Sequence, residues 1–306
     1  MAPLTPTTAP LASPPGRIRP ALTRIRAVVN SASGGVGPGA AAQLARVVAD
    51  HALQVEIDCP SPGGIEGAIR GAVAARPDLL IILAGDGTAR LAAELCGPGG
   101  PLLAPLPGGT MNMLPHALYG LHPWPVALAR ALSEGVERPT SGGRVGGRTF
   151  YCAAILGSPA LWGLAREAVR ARKLRRAWRR AIYAFRRAFH GGVSFALDDR
   201  ARVGAEALVL ITPLISRQFD AEIALEAAAL DLHDAQEVVR LALNGLAGDW
   251  RRDPGVIVDS CRHGRVWAHH SIPCILDGEV HRLPSSAAIE FTPRAFRALA
   301  PPATNA

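Results

Sequence analysis

Nowhere in the chain do apolar residues run for the roughly 18 positions that a membrane-spanning helix needs. Even Leu79-Leu-Ile-Ile-Leu-Ala84 stops after six. That absence predicts a protein that is soluble or peripheral to a membrane. Cysteine is sparse and odd in number, with five residues at 59, 96, 152, 261 and 274 and no CxxC pair. A disulfide framework and a zinc ribbon are both excluded, and reduced thiols in the cytoplasm are expected. Residues 1–22 carry six prolines and no apolar h-region, so they read as a disordered tail rather than a signal peptide. There is no GxxxxGK[ST] loop, no GxGxxG after the first predicted strand, and no Gly-x-Ser-x-Gly elbow. A Walker-type NTPase, a simple dinucleotide fold and an α/β-hydrolase lose their usual signatures.

What is present is a chain of 306 residues, 49% apolar and 19% charged. At about 100–200 residues per domain it makes one large domain or two medium ones. The formal charge is +8, and it is not spread evenly. Residues 164–190 hold ten Lys or Arg and one acid, for a local charge of +9, against −1 for the remainder. Leu164, Val169, Leu174, Trp178, Ile182, Phe185 and Phe189 recur there at roughly helical spacing. A basic helix with such a stripe suits an anionic membrane surface, and equally an ordinary surface helix packed on a core. No DNA- or RNA-binding motif accompanies it, so nucleic acid is not the expected partner.

The first half alternates strand and helix signals. Strands are expected at 25–30, 54–59, 79–84 and 101–106, with helices at 40–53, 65–76, 88–96 and 123–134. Repeated βα units imply a parallel sheet with right-handed crossovers. The second half reads as mainly β. Strand signals fall at 144–145 and 148–155 around Gly146-Gly147, and at 193–197, 207–213, 236–243, 256–259, 265–269 and 288–292. Gly, Pro, Ser and Thr cluster at 136–143, where a domain boundary is placed. The expected division is a tail at 1–22, an α/β domain at 23–138, and a β-rich domain at 139–300 with a basic helical insertion at 164–190.

Three Gly-rich loops follow predicted strands: Asn30-Ser-Ala-Ser-Gly-Gly-Val-Gly37, Ala84-Gly-Asp-Gly-Thr88 and Pro107-Gly-Gly-Thr-Met-Asn112. Ligands of open α/β sheets bind at the carboxyl ends of the strands. Glycines let backbone N–H groups approach phosphate oxygens, and helix N-termini favour the negative charge. Ser33, Thr88 and Thr110 add hydroxyl donors. Asp86 is the one acid in these loops. It reads as a Mg²⁺-associated residue, as a group set against an acceptor hydroxyl, or as a cap on the following helix. His263, His269 and His270 cluster in sequence, but no carboxylate joins them at ligand spacing.

Together the loops resemble those of the diacylglycerol kinase catalytic family, which includes bacterial lipid kinases and sphingosine kinases. The family pattern runs NPxSG, GGDGT, PxGTxN and a late DGE, matched here by Asn30–Gly34, Ala84–Thr88, Pro107–Asn112 and Asp277-Gly-Glu279. GGDGT alone is shared with NAD kinases and resembles phosphofructokinase loops. The resemblance implies a Rossmann-like α/β domain of the phosphofructokinase and NAD kinase type, a C-terminal β-sandwich, and a cleft between them. It implies ATP and Mg²⁺, with the γ-phosphoryl group passing to a hydroxyl of a diacylglycerol-like lipid. The alternatives are an NAD or other small-molecule kinase, and a non-catalytic nucleotide- or lipid-binding relative.

By the same resemblance Asn30, Ser33 and Gly34 hold the nucleotide. Gly85, Asp86, Gly87, Thr88, Gly109 and Thr110 surround the phosphates and metal, and Asn112 braces the third loop. Glu279 or Asp277 accepts the lipid hydroxyl proton, the glutamate being favoured in bacterial relatives. A peripheral membrane location in the cytoplasm follows, through Arg166–Arg187. The chain departs from the pattern at Ala84, at Ser31 in place of Pro, at Arg90 in place of Asn, and at Ser141 in place of Asp. The Asp-Gly of a structural metal loop is missing from 221–232, where Glu226, Asp231 and Asp234 are the substitutes on offer.

Overall fold

The computed structural model describes residues 21–157, 192–216, 223–230 and 256–302. Most of the tail, the basic segment at 164–190, the strand expected at 236–243, and Asp231 and Asp234 lie outside the described residues.

The first half follows its apolar pattern. The order is β1 (Ile25–Val29), α1 (Ala40–Ala49), β2 (Glu56–Asp58), α2 (Ile65–Ala74), β3 (Leu79–Ala84), α3 (Asp86–Cys96), β4 (Leu102–Pro107), α4 (Met113–Tyr119) and α5 (Trp124–Glu134). β3 is apolar throughout and buried at every residue, as a strand covered on both faces must be. The parallel strands lie in the order β2-β1-β3-β4. The chain moves outward from β1 to β2, then crosses back over β1 to β3 and β4. The carboxyl edge between β1 and β3 is therefore a topological switch point, where loops on opposite faces part and leave a crevice.

The rest of the described chain is β structure. It comprises β5 (Val136–Val145), β6 (Arg148–Phe150), β7 (Ala153–Gly157), β8 (Val193–Leu197), β9 (Val203–Ala205), β10 (Ala207–Ile211) and β11 (Leu225–Leu230). β12 (Val256–Cys261), β13 (His263–Trp267), β14 (Ile272–Leu276), β15 (Glu279–Leu283) and β16 (Ser286–Ala300) complete it. One antiparallel sheet runs β12-β11-β10-β7-β14-β15. The other is continuous with the parallel sheet, because β16 pairs in parallel with β4 at Ala298 and Leu103, and antiparallel with β13 and β5. Phe150, Leu156, Phe195, Leu208, Leu210, Val266 and Leu276 fill the space between the two sheets. The register of β5 on β16 shifts between Thr292 and Phe296, an irregularity of the kind that bends a strand. The fold is thus an N-terminal α/β domain on a mainly parallel sheet joined to a C-terminal antiparallel β domain, as the sequence predicts.

Local expectations differ in places. The stretch 136–143, where the domain boundary is expected, lies in strand β5. The single strand expected over 148–155 is two, β6 and β7, because Tyr151 and Cys152 turn their N–H groups onto Asp277. Helix α4, absent from the sequence reading, begins at Met113. Gly146 and Gly147 form the expected two-residue hairpin, with φ of 56° and 78° and Val145 opposite Arg148. All five cysteines are free. Among the described residues no helix is long and apolar enough to cross a membrane.

Candidate active site

The three Gly-rich loops meet at the carboxyl edge of β1, β3 and β4, and they pack backbone on backbone. The Gly35 N–H donates to the Gly108 carbonyl at 3.0 Å, and the Gly108 N–H donates to the Ala84 carbonyl at 3.0 Å. A Cβ added to Gly109 would fall 2.7 Å from the Gly85 Cα, so only glycine permits this approach. Ser33 Oγ accepts the Gly85 N–H at 3.2 Å, tying the first loop to the second. Asn30 closes a turn by accepting the Ala32 N–H on Oδ1 at 3.1 Å. Gly34 faces open space, with nothing within 4 Å of where its Cβ would stand. Thr88 donates its N–H to the Gly85 carbonyl within the first turn of α3, and Thr110 is exposed at the tip of the third loop.

Asn112 sits at φ 53°, a left-handed conformation that Asn tolerates. Its Oδ1 accepts the Gly109 N–H at 2.7 Å and its Nδ2 donates to the Gly109 carbonyl at 3.1 Å. The third loop is thereby stapled shut. Asp86 lies at the head of α3, yet its carboxylate caps α4, accepting the N–H groups of Asn112 at 2.7 Å and Met113 at 2.6 Å. Burial raises the Asp86 carboxyl above its ordinary range, against those N–H bonds.

The late Asp-Gly-Glu comes over these loops from the other domain. Asp277 and Gly278 form the two-residue turn between β14 and β15, with φ of 45° and 86°, and Leu276 faces Glu279. Asp277 is buried, and its carboxylate accepts the N–H groups of Tyr151, Cys152 and Ala153 at 2.7, 2.8 and 3.0 Å. Burial pushes its carboxyl up to about 6 despite those donors, with the Asp86 charge adding to the rise. Asp277 therefore anchors the turn to the strand break between β6 and β7. A Cβ at Gly278 would meet Met111 Cε at 3.1 Å, so the turn rests on the third loop.

Glu279 is half-buried, and Oε1 stands 2.6 Å from where a Cβ of Gly87 would be. The structure thus brings Glu279 together with Gly87 and keeps Asp277 behind it. Sequence reasoning missed two neighbours. Arg90, noted only as a departure from a family pattern, reaches from α3 with Nη2 3.2 Å from Glu279 Oε2 and Nη1 3.5 Å from Glu94 Oε1. His281 lies two residues beyond Glu279 on β15, with Nε2 3.6 Å from Glu279 Oε2. Strand alternation, which sends i and i+2 to one face, was the available signal. His269 and His270 only stack on each other at 4.8 Å. Ser141 is buried on β5, and Glu226 is buried on β11, where it accepts the Ser216 hydroxyl.

The loops fit a nucleotide polyphosphate through the open cradle at Gly34 and the head of α3, the head of α4 being capped by Asp86. They fit a metal less directly. Both Asp86 oxygens already accept N–H groups, and no cluster of three or more His, Cys, Asp or Glu side chains able to hold a metal occurs among the described residues.

A crevice at the switch point of a parallel sheet, roofed by a carboxylate from an antiparallel β domain, defines an α/β domain joined to a β domain with a cleft at the loops. Residues 24–145 match the profile of the diacylglycerol kinase catalytic domain. A crystal structure of a diacylglycerol kinase from Bacillus anthracis str. Sterne is similar over 93% of this chain and 99% of its own, with a TM-score of 0.63 and 14% identity. A second structure from that organism, described as a "putative diacylglycerol kinase", has the same coverage, a TM-score of 0.69 and 16% identity. At such identity the likeness is one of fold. No curated protein matches the sequence significantly.

Proposed function

We propose that this protein transfers the γ-phosphoryl group of ATP to a hydroxyl of a diacylglycerol-like lipid. The observation that carries the reading is Glu279 Oε1 standing against Gly87 of the phosphate loop. A proton acceptor from one domain lies where the other domain would hold the transferring group. Gly34, Gly85, Gly87 and Gly109 give the phosphates close access to backbone donors, Ser33 and Asn112 fix the loops, and Thr88 and Thr110 offer hydroxyls. The lipid hydroxyl oxygen attacks the γ-phosphorus, its proton passes to Glu279 Oε1, and the bond to the β-phosphate oxygen breaks to release ADP. Asp277 and Asp86 hold the roof and the third loop in place. Asp86 is the loop carboxylate that would help to hold a Mg²⁺ ion, which would supply neutralisation of the phosphate charge.

The basic segment Arg166–Arg187 supports a peripheral location on anionic membrane, where a diacylglycerol-like substrate resides. The test is transfer of radiolabel from γ-labelled ATP to diacylglycerol in mixed micelles, beside NAD in solution. Labelled lipid is expected. Label entering NAD and no lipid would overturn the reading in favour of a small-molecule kinase.

A further inference from the structure

One buried polar atom in the cleft lacks a hydrogen bond. His281 Nε2 makes none among the described residues, although buried side-chain nitrogens are ordinarily bonded. It points at Glu279 Oε2 from 3.6 Å, too far for a hydrogen bond. The same oxygen is held by Arg90 Nη2 at 3.2 Å. Glu279 Oε2 therefore has two candidate partners on two domains: Arg90 on α3, engaged, and His281 on β15, adjacent and idle. Burial, with the nearby positive charges of Arg148 and Arg90, holds His281 below its ordinary range against the pull of Glu279, so near neutral pH it is uncharged.

Arg90 has a second use in reach. It lies two residues beyond Thr88, one turn into the helix whose head forms the second phosphate loop. The three loops contain no Lys or Arg at all, from 30 to 37, 84 to 88 and 107 to 112. A polyphosphate entering there meets backbone dipoles and finds in Arg90 the guanidinium that stands on the second loop's own helix. A guanidinium prefers phosphate oxygens in bidentate geometry and can leave one exposed carboxylate for them.

We propose that Arg90 and His281 exchange places at Glu279 Oε2. In the empty cleft Arg90 holds that oxygen. When a nucleoside triphosphate enters, Arg90 transfers to the phosphates and His281 closes on Oε2 through its Nε2–H. Glu279 is then held by one oxygen with the other aimed at the acceptor hydroxyl. His281 is a positioning residue acting through Glu279, and Arg90 is a phosphate-binding residue that also keeps the base occupied until nucleotide arrives. The inference rests on the kinase reading above.

The experiment separates the two. ATP binding is measured by calorimetry in the Glu279→Gln background, where the Glu279 carboxylate no longer competes for Arg90 or repels phosphate. Adding Arg90→Gln there should weaken ATP about 10-fold, and Arg90→Lys should weaken it less. Separately, His281→Phe should lower kcat about 10-fold with the KM for ATP unchanged, and His281→Gln, which keeps an N–H of similar reach, should recover most of it. In the Glu279→Gln background His281→Phe should cause no further loss, which a merely structural histidine would not satisfy. If His281→Phe does not fold, His281→Asn, too short to reach Oε2, replaces it. Wild-type protein that binds no ATP would bring down the kinase reading itself, and a Glu279→Gln enzyme with normal kcat would take the base away from Glu279. With those two intact, unchanged ATP affinity on loss of Arg90, or unchanged kcat on loss of His281, overturns the exchange.

Discussion

At the scale of single residues, the carboxylates of the cleft divide by what already occupies their oxygens. Glu279 keeps Oε1 free of hydrogen bonds, whereas Asp277 accepts three backbone N–H groups in a buried site. Replacing Glu279 with Gln removes the proton acceptor and keeps its size. We expect kcat to fall by about 10²–10⁴-fold with ATP affinity retained, read by steady-state kinetics and calorimetry. Replacing Asp277 with Asn sets an amide NH₂ against backbone donors. We expect a loss of about 1–3 kcal/mol in denaturant unfolding, because buried donors lose their acceptor. That loss should depend on pH. The folded Asp277 carboxyl is raised from 3.8 to about 6, so its contribution is full below about pH 4 and declines as the pH rises through 6. Wild type should therefore lose part of its advantage over Asp277→Asn between those values. A constant difference across that window would show that the N–H donors, rather than burial, govern the group.

At the scale of elements, the phosphate loops respond differently to the same added methyl. At Gly109 a Cβ meets the Gly85 Cα at 2.7 Å, backbone that cannot yield without parting the second and third loops. Gly109→Ala should abolish ATP binding in calorimetry while circular dichroism reports a folded protein. At Gly87 the Cβ meets Glu279 Oε1 at 2.6 Å, the mobile end of a side chain. Gly87→Ala should lower kcat by displacing Glu279 and weaken ATP binding less than Gly109→Ala does. The same elements show what a sequence reveals. β3 was legible to the residue, since an unbroken apolar run in an α/β pattern has one use. That the three loops share one edge was legible because glycine, hydroxyl and strand end coincide in each. β5 was not, because its glycines mimic a linker. Gly143 is small since the Phe150 ring lies where its Cβ would be, at 2.3 Å from Cζ, and Pro139 is tolerated beyond the short pairing with β6. Helix α4 was hidden because its cap, Asp86, lies 26 residues away from Asn112 in sequence. The Arg90–Glu279 pair spans 189 residues, and no local pattern announces such a contact.

At the scale of the whole molecule, β7 leads away from the Asp277 anchor. β7 begins at Ala153, whose carbonyl accepts the Asp277 N–H at 3.0 Å, and ends at Gly157. Four steps at about 3.4 Å each put Gly157 some 14 Å from the Asp277 anchor. The chain leaves the described structure after Gly157, which pairs with Ala207, and re-enters at Gly192, just before Val193 pairs with Ala205. The residues between them carry +9 over 164–190. Each basic residue near an anionic leaflet contributes about 1 kcal/mol, fading over a Debye length of about 8–10 Å. Replacing Arg175, Arg176, Arg179 and Arg180 with Gln removes at most about 4 kcal/mol, close to a thousand-fold in vesicle affinity at low salt. Co-sedimentation with anionic vesicles should show that loss, while binding to neutral vesicles stays low for both proteins. Phosphorylation of vesicle-embedded lipid should fall in parallel. Phosphorylation of a short-chain lipid below its micelle concentration should not, because the cleft and Glu279 are untouched. A quadruple variant that sediments like wild type in low salt would return the segment to an ordinary solvated surface, with the lipid then met by some other face of the protein.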